Sequence, residues 1–346
     1  MNRMQPPLML SICIATFRRA DYIAETLDSI IPQLTDQVEL IVVDGASPDH
    51  TPDVLARYVE RCPRVRYVRE AINSGIDPDY DRAVSYARGE YCWLMTDDDL
   101  LVEGAVREVL ARLGTNDLVV VNAEVRNKDL RRPLRTSMLS SMQDASFDDA
   151  ERLFVETTAY LSFIGGVVVR RAWWLERQRE RYYGTLFVHV GALFQSPPIA
   201  RAAVIGRPLI VIRFGNAMWS ARSFEIWMFK WPELVWSFEH FSREARAAVT
   251  AQLPFRSFKQ LIWFRAIGGY SMDEYRRFLG TRGNARYRLA ASAIARLPGR
   301  IANFCCAAYY FMHADKSRSG MELYDLARSI HSTWFARRVD AMRRSS

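Results

Sequence analysis

The chain has 346 residues, 49% hydrophobic and 25% charged, which excludes a disordered or low-complexity polymer and leaves one large domain with an extension, or two domains. The formal net charge of +8 is unevenly spread: residues 1–150 carry 17 Lys/Arg against 25 Asp/Glu, and the remainder carries 30 against 14. The acidic half suits a cation and the basic half an anionic surface; its basic residues are interleaved with Trp, Phe, Leu and Ile, so that half reads as a face for phospholipid headgroups in preference to nucleic acid, with a merely solvated basic face as the alternative.

Residues 9–16 (MLSICIAT) form a β-branched apolar run that leads straight into a polar turn, a strand and not a secretion signal. Helical spacing follows through Ile23, Leu27, Ile30, Ile31 and Leu34. The alternation then recurs: a buried strand at 38–44, a helix at 52–61 with Pro in its first turn, and a strand at 65–69. After the loop NSGIDPD come a helix at 80–87, a stop at Gly89, and a strand at 90–96 that runs into three aspartates. A helix at 103–113 and a strand at 117–123 complete a pattern that predicts an α/β fold, a doubly wound and mostly parallel sheet with ligands at the carboxyl ends of its strands. The stretch 131–146 reads as a loop. Residues 148–215 read as helix, short strand at 166–170, helix at 172–181 and strand at 204–213; from Trp219 onward the pattern is helical, ending in a frayed RRSS.

Asp97, Asp98 and Asp99 close a strand apolar enough to be central, and three adjacent carboxylates repel unless a cation or strong donors neutralise them. Hard oxygen ligands at the rim of a nucleotide-binding fold suit Mg²⁺ or Mn²⁺ on a diphosphate; an over-acidic helix cap is the structural alternative. The first loop, Ala15 to Arg19, lacks the glycines of a dinucleotide turn, and no Walker A loop is present, so phosphate falls to metal and side chains. Asp44 is placed to accept hydrogen bonds from a pyrimidine edge and Phe17 to stack on it, although Asp44 also suits a turn before Gly45. Five cysteines, with no CxxC spacing, read as reduced thiols of a cytoplasmic protein.

Taken in order, SICIATFRRADYIAETLDSI, VELIVVDGASPDHT and NSGIDPDYDRAVSYARGEYCWLMTDDD resemble family 2 glycosyltransferases of the GT-A fold, and GIDPDYDRAV with GEYCWLMTDDDLL is most similar to the abequosyltransferase type of O-antigen assembly. The resemblance implies an inverting hexosyltransferase with a mainly helical C-terminal extension. It implies that Thr16, Phe17, Arg18 and Asp44 hold the nucleotide, that Asn73, Gly75 and Asp81 approach ribose and diphosphate, and that Asp97, Asp98 and Asp99 form the family's DXD motif, with Asp99 and Asp97 as metal ligands. It further implies a CDP-, dTDP- or UDP-linked sugar donor and a lipid-linked saccharide acceptor. The sequence departs from the family in Ala15 and Arg18, in Asp81 where Asn is usual, and in the absence of a Glu-Asp pair for the catalytic base. In the comparable stretch His189 is the titratable candidate, with Glu176 and Glu180 in reserve; a hydrogen-bonded structural histidine is the alternative. Gly165 and Gly166 resemble the small-residue loop beside the acceptor.

These implications divide the chain into a catalytic domain at 1–215, with 1–130 for the nucleotide sugar and 131–215 for the acceptor, and a basic helical extension at 216–346. Segments 224–241, 255–265 and 294–312 are amphipathic; each could be an ordinary core helix, and together they suit a peripheral position on the inner face of the cell membrane. Two rival functions are a sugar nucleotidyltransferase, which would carry a Gly-rich first loop, and a non-catalytic nucleotide-sugar-binding scaffold.

Overall fold

The computed structural model describes residues 7–199, 201–216, 220–313 and 319–342. The expected helical start at Trp219 and the terminal RRSS lie outside the described residues. The chain forms two compact units, one of Met1–Glu124, Ser137–Ile212 and Phe238–Val249, the other of Val125–Thr136, Arg213–Ser237 and Thr250–Ser346.

In the first unit, β1 (Leu10–Thr16), β2 (Val38–Asp44), β3 (Val65–Arg69) and β4 (Tyr91–Met95) lie parallel in the order β3-β2-β1-β4. Every residue of β1, β2 and β4 is buried, as largely apolar runs are when helices cover both faces, and the polar Ser11 and Glu39 within them pair with each other at 2.8 Å. The helices between them are α1 (Ile23–Ile30), α2 (Thr51–Arg61) and α3 (Ile76–Tyr86), and α3 packs on β1 and β2. Register brings Thr16 opposite Asp44 and Ile14 opposite Met95, so the loops after β1, β2 and β4 open at one edge.

Beyond β4 the sheet is mixed. Its further strands are β5 (Leu100–Leu101), β6 (Leu118–Asn127), β7 (Pro133–Arg135), β8 (Ala145–Phe147), β9 (Val167–Arg170) and β10 (Ala202–Phe214). β9 runs antiparallel to both β4 and β6, and β10 antiparallel to β5 and β8. Antiparallel neighbours need no crossover helix. The stretch read as a loop holds β7 and β8, three residues each, whose pairing with β6 and β10 no local periodicity could reveal. The helices of this part are α4 (Ala105–Leu110), α5 (Ala150–Thr157), α6 (Arg171–Leu175) and α7 (Val188–Phe194). All five cysteines are free thiols, with Cys13 and Cys92 buried.

The remaining helices are α8 (Ser223–Glu225), α9 (Trp231–Trp236), α10 (Arg243–Val249), α11 (Phe258–Ile267), α12 (Met272–Glu274), α13 (Ala285–Arg296), α14 (Gly299–His313), α15 (Gly320–Arg328) and α16 (Trp334–Met342). Two of the segments read as amphipathic turn out to supply core. Phe224, Phe229, Phe255 and Phe264 are buried in one cluster of the second unit, with Phe224 stacked on Tyr270 at 4.9 Å and Phe229 on Phe255 at 5.2 Å. Phe238 and Phe241 pack instead in the first unit, Phe241 stacked at 4.2 Å on Phe154.

Candidate active site

Three carboxylates follow β4 at its carboxyl end, and the fold buries them. Tyr80 donates from Oη to the Met95 carbonyl at 3.0 Å, which fixes α3 against the strand end. Asp97, Asp98 and Asp99 are all at most 9% exposed. Arg19 bridges the first two, with Nε 3.3 Å from Asp97 Oδ1 and Nη2 3.3 Å from Asp98 Oδ2, and Thr96 donates to Asp99 Oδ2 at 2.5 Å. Burial, reinforced by the neighbouring Asp98, lifts the Asp97 carboxyl to about 7. Among the described residues no group of three or more His, Cys, Asp or Glu side chains is arranged to hold a metal ion by itself. Crowded, desolvated carboxylates with one guanidinium beside them fit a cation held at an open site and completed by phosphate oxygens.

The β1 and β2 loops interlock beside these carboxylates. Arg18 takes a left-handed backbone, φ 56°, its N–H donates to Ser47 Oγ at 2.9 Å, and its guanidinium lies 5.3 Å from the Phe17 ring centroid. Asp44 is fully buried and accepts from the Ser47 N–H at 2.9 Å and from Tyr67 Oη at 2.8 Å. Asn73 accepts from the Gly75 N–H at 2.9 Å, and Gly75, at φ 97°, stands immediately before α3. A Cβ on Gly45 would lie 2.6 Å from Asp79 Oδ2, so glycine is what allows the loop after β2 to close on the first turn of α3. Burial pushes the Asp79 carboxyl up.

Asp81 points elsewhere. Its carboxylate accepts from Trp174 Nε1 at 2.9 Å, Arg179 Nε at 2.5 Å and Tyr183 Oη at 2.5 Å. One turn earlier on α3, Asp77 accepts from the backbone N–H groups of Gly184, Leu186 and Val188 at 2.8, 2.9 and 3.1 Å. The two acids, four residues apart, share a helix face and pin the segment 174–188. Gly165 accepts from Trp93 Nε1 at 2.8 Å, and a Cβ on Gly166 would lie 2.8 Å from Tyr160 Cε1. His189 is buried, its Nε2 lies 2.7 Å from the Leu161 carbonyl oxygen, and its Nδ1 has no hydrogen-bond partner. Burial lowers its imidazole to about 4, so the ring is neutral at pH 7 and Nε2 carries the proton donated to Leu161. Glu176 and Glu180 are exposed.

Residues 11–179 match the family model of glycosyl transferase family 2. This stretch is a family 2 glycosyltransferase domain. It is 27% identical over 227 residues to the abequosyltransferase RfbV of Salmonella typhimurium, covering 60% of this chain and 68% of that protein. Several other relatives match over less than half of their own length. In fold it is similar to Staphylococcus aureus TarS 1–349 in complex with UDP, at TM-score 0.57, 14% identity and coverage of 92% and 90%. It is also similar to the Pyrobaculum calidifontis mannosyltransferase PcManGT in complex with GDP-Man and Mn²⁺, at TM-score 0.51, 17% identity and coverage of 97% and 87%. These neighbours share the GT-A architecture that the first third of the sequence resembles, and the family sets aside the nucleotidyltransferase and scaffold alternatives.

In this glycosyltransferase the fold joins Thr16, Arg18 and Asp44 in one cluster and Gly165, Gly166 and His189 in another through the segment 160–166. Sequence reading passed over Arg19 and Asp77. The basic pair Arg18-Arg19 opposite three aspartates was the available signal for the first, and the i, i+4 spacing of Asp77 and Asp81 for the second.

Proposed function

We propose that this glycosyltransferase moves a sugar, a deoxyhexose by preference, from a pyrimidine nucleotide diphosphate to a lipid-linked saccharide in surface polysaccharide assembly, with inversion and with Mn²⁺ or Mg²⁺. The observation that carries the reading is the buried Asp97–Asp98–Asp99 cluster at the open edge of the sheet, beside Arg19. The TarS complex with UDP and the PcManGT complex with Mn²⁺ support nucleotide and metal, and the abequosyltransferase relative supports the sugar class. Residues 1–215 act as the catalytic domain and 216–346 as an extension at the inner membrane face.

Asp99, with Asp97, would hold the cation, whose chemistry when bound would be to supply positive charge to a diphosphate leaving group. Thr16, Phe17, Arg18 and Asp44 seat the base, Asn73 and Gly75 shape the loop beside the ribose, and Arg19 holds Asp97 and Asp98 in place. The acceptor hydroxyl lies over Gly165 and Gly166 and attacks the anomeric carbon in line with the departing diphosphate oxygen. Its proton passes to His189 Nδ1, the ring nitrogen that no other group engages. The full burial of His189 favours a second role, positioning of the Leu161 carbonyl, in which the ring holds the acceptor loop and another base takes the proton.

Calorimetry with CDP, UDP, dTDP, GDP and ATP, with and without Mn²⁺, tests the reading on wild type and Asp99→Asn. One pyrimidine diphosphate is expected to bind only with metal and only to wild type. Metal-free binding of ATP, or no binding of any diphosphate, overturns it.

A further inference from the structure

Helix α14 buries Ala302, Asn303 and Ala307 and turns the other side outward. On that side Ile301, Phe304, Phe311 and Met312 recur at helical spacing, and Met312 is 67% exposed. Phe335 of α16 joins the row, with ring centroids 5.0 Å from Phe304, 6.2 Å from Phe311 and 5.9 Å from Trp334, which is itself 69% exposed. An exposed apolar band of this breadth, continuous over two packed helices, is uncommon on a soluble surface.

The exposed charges on the two helices have one sign. Arg300, Arg337 and Arg338 are exposed, and Lys259 Nζ lies 5.0 Å from the Tyr309 ring centroid on α14. The sole acid on the two helices, Asp340, is buried in ion pairs with Arg132 and Arg328. No helix among the described residues is long and apolar enough to cross a membrane. An apolar stripe rimmed by cations lies in the headgroup layer of an anionic bilayer: the aromatic rings and Met enter the acyl boundary, and the guanidinium groups stay among lipid phosphates.

We propose that the α14–α16 face is the surface by which this glycosyltransferase docks on anionic phospholipid. This deepens, and rests on, the membrane placement proposed above, and it reassigns the contact from the aromatic segments 224–241 and 255–265, whose buried phenylalanines form core, to α14 and α16. Flotation of the full chain with vesicles of phosphatidylcholine and phosphatidylglycerol, against vesicles of phosphatidylcholine alone, tests it without donor or acceptor. Wild type is expected to float with the anionic vesicles, less so as salt rises. The triple variant Phe311→Ser, Met312→Ser, Trp334→Ser should lose about tenfold or more in partitioning. The exposed pair Arg337→Gln, Arg338→Gln, which leaves the packing intact, should lose partitioning and its salt dependence. Undiminished flotation of both variants overturns the face and leaves membrane placement standing. Failure of wild type to float with either vesicle overturns both. A wild-type dimer in light scattering that the triple variant dissolves, without lipid binding, assigns the face to a second copy and overturns the proposal.

Discussion

Tyr183 donates its hydroxyl to Asp81 at 2.5 Å across 102 residues of sequence, and this bond, with those from Trp174 and Arg179, holds the proposed acceptor segment on α3. Asp81 is thereby tied to the segment 174–188, whereas the family resemblance assigns its position to ribose and diphosphate. Tyr183→Phe should cost about 1–2 kcal/mol in urea unfolding, since it removes one bond to a buried carboxylate. It should raise the acceptor KM and leave diphosphate affinity unchanged. A loss of nucleotide affinity without a change in acceptor KM would return Asp81 to the donor side.

His189 separates two roles by substitution. Gln retains an N–H for the Leu161 carbonyl but has no basic lone pair, and Ala has neither. If Nδ1 takes the proton, both variants should lose about 10²–10⁴ in kcat. If the ring only positions Leu161, Gln should recover most of the activity that Ala loses.

The same histidine makes stability depend on pH. Its folded value of about 4 lies below the ordinary 6.5, so between those limits the unfolded chain binds a proton that the folded chain does not. Stability contributed by the neutral ring is complete above 6.5 and falls as pH drops towards 4. From pH 6.5 to 5 wild type should lose about 2 kcal/mol that His189→Gln does not lose, read from urea unfolding at the two pH values. Parallel losses in both proteins would place the sensitivity elsewhere.

Asp99→Asn keeps the size of the side chain and removes the charge that a divalent cation requires. In wild type, Mn²⁺ with the cognate diphosphate should raise the melting temperature, as any ligand selective for the folded state does. In the variant that rise should disappear while the metal-free melting temperature stays within a few degrees. An equal rise in both would exclude Asp99 as a ligand.

Gly166→Ala places a methyl 2.8 Å from the Tyr160 ring, whose hydroxyl is tied to the Val121 carbonyl at 2.5 Å and cannot easily retreat. Overpacking of this kind costs about 1–3 kcal/mol. Thermal unfolding should register it, and transfer to acceptor should fall more than diphosphate binding. Unchanged stability would mean that Tyr160 yields.

The parallel half of the sheet and the place of the aspartates are legible in the order of residues alone. β1, β2 and β4 are predominantly apolar runs, a signal carried within seven residues, and a polar cluster following such a run has to emerge at the strand's carboxyl edge. What those groups touch depends on residues far away in the chain. Trp174 meets Asp81 over 93 residues and Val188 meets Asp77 over 111, and β7 and β8 exist only through pairing with distant strands. The helical half shows the same division: periodicity marks 224–241, 255–265 and 294–312 alike as amphipathic, because a stripe of apolar side chains is the same whether it faces protein or lipid. Packing made core of the phenylalanines in the first two and left the outer face of α14 exposed, since burial depends on the partner surface and not on the helix that presents the stripe.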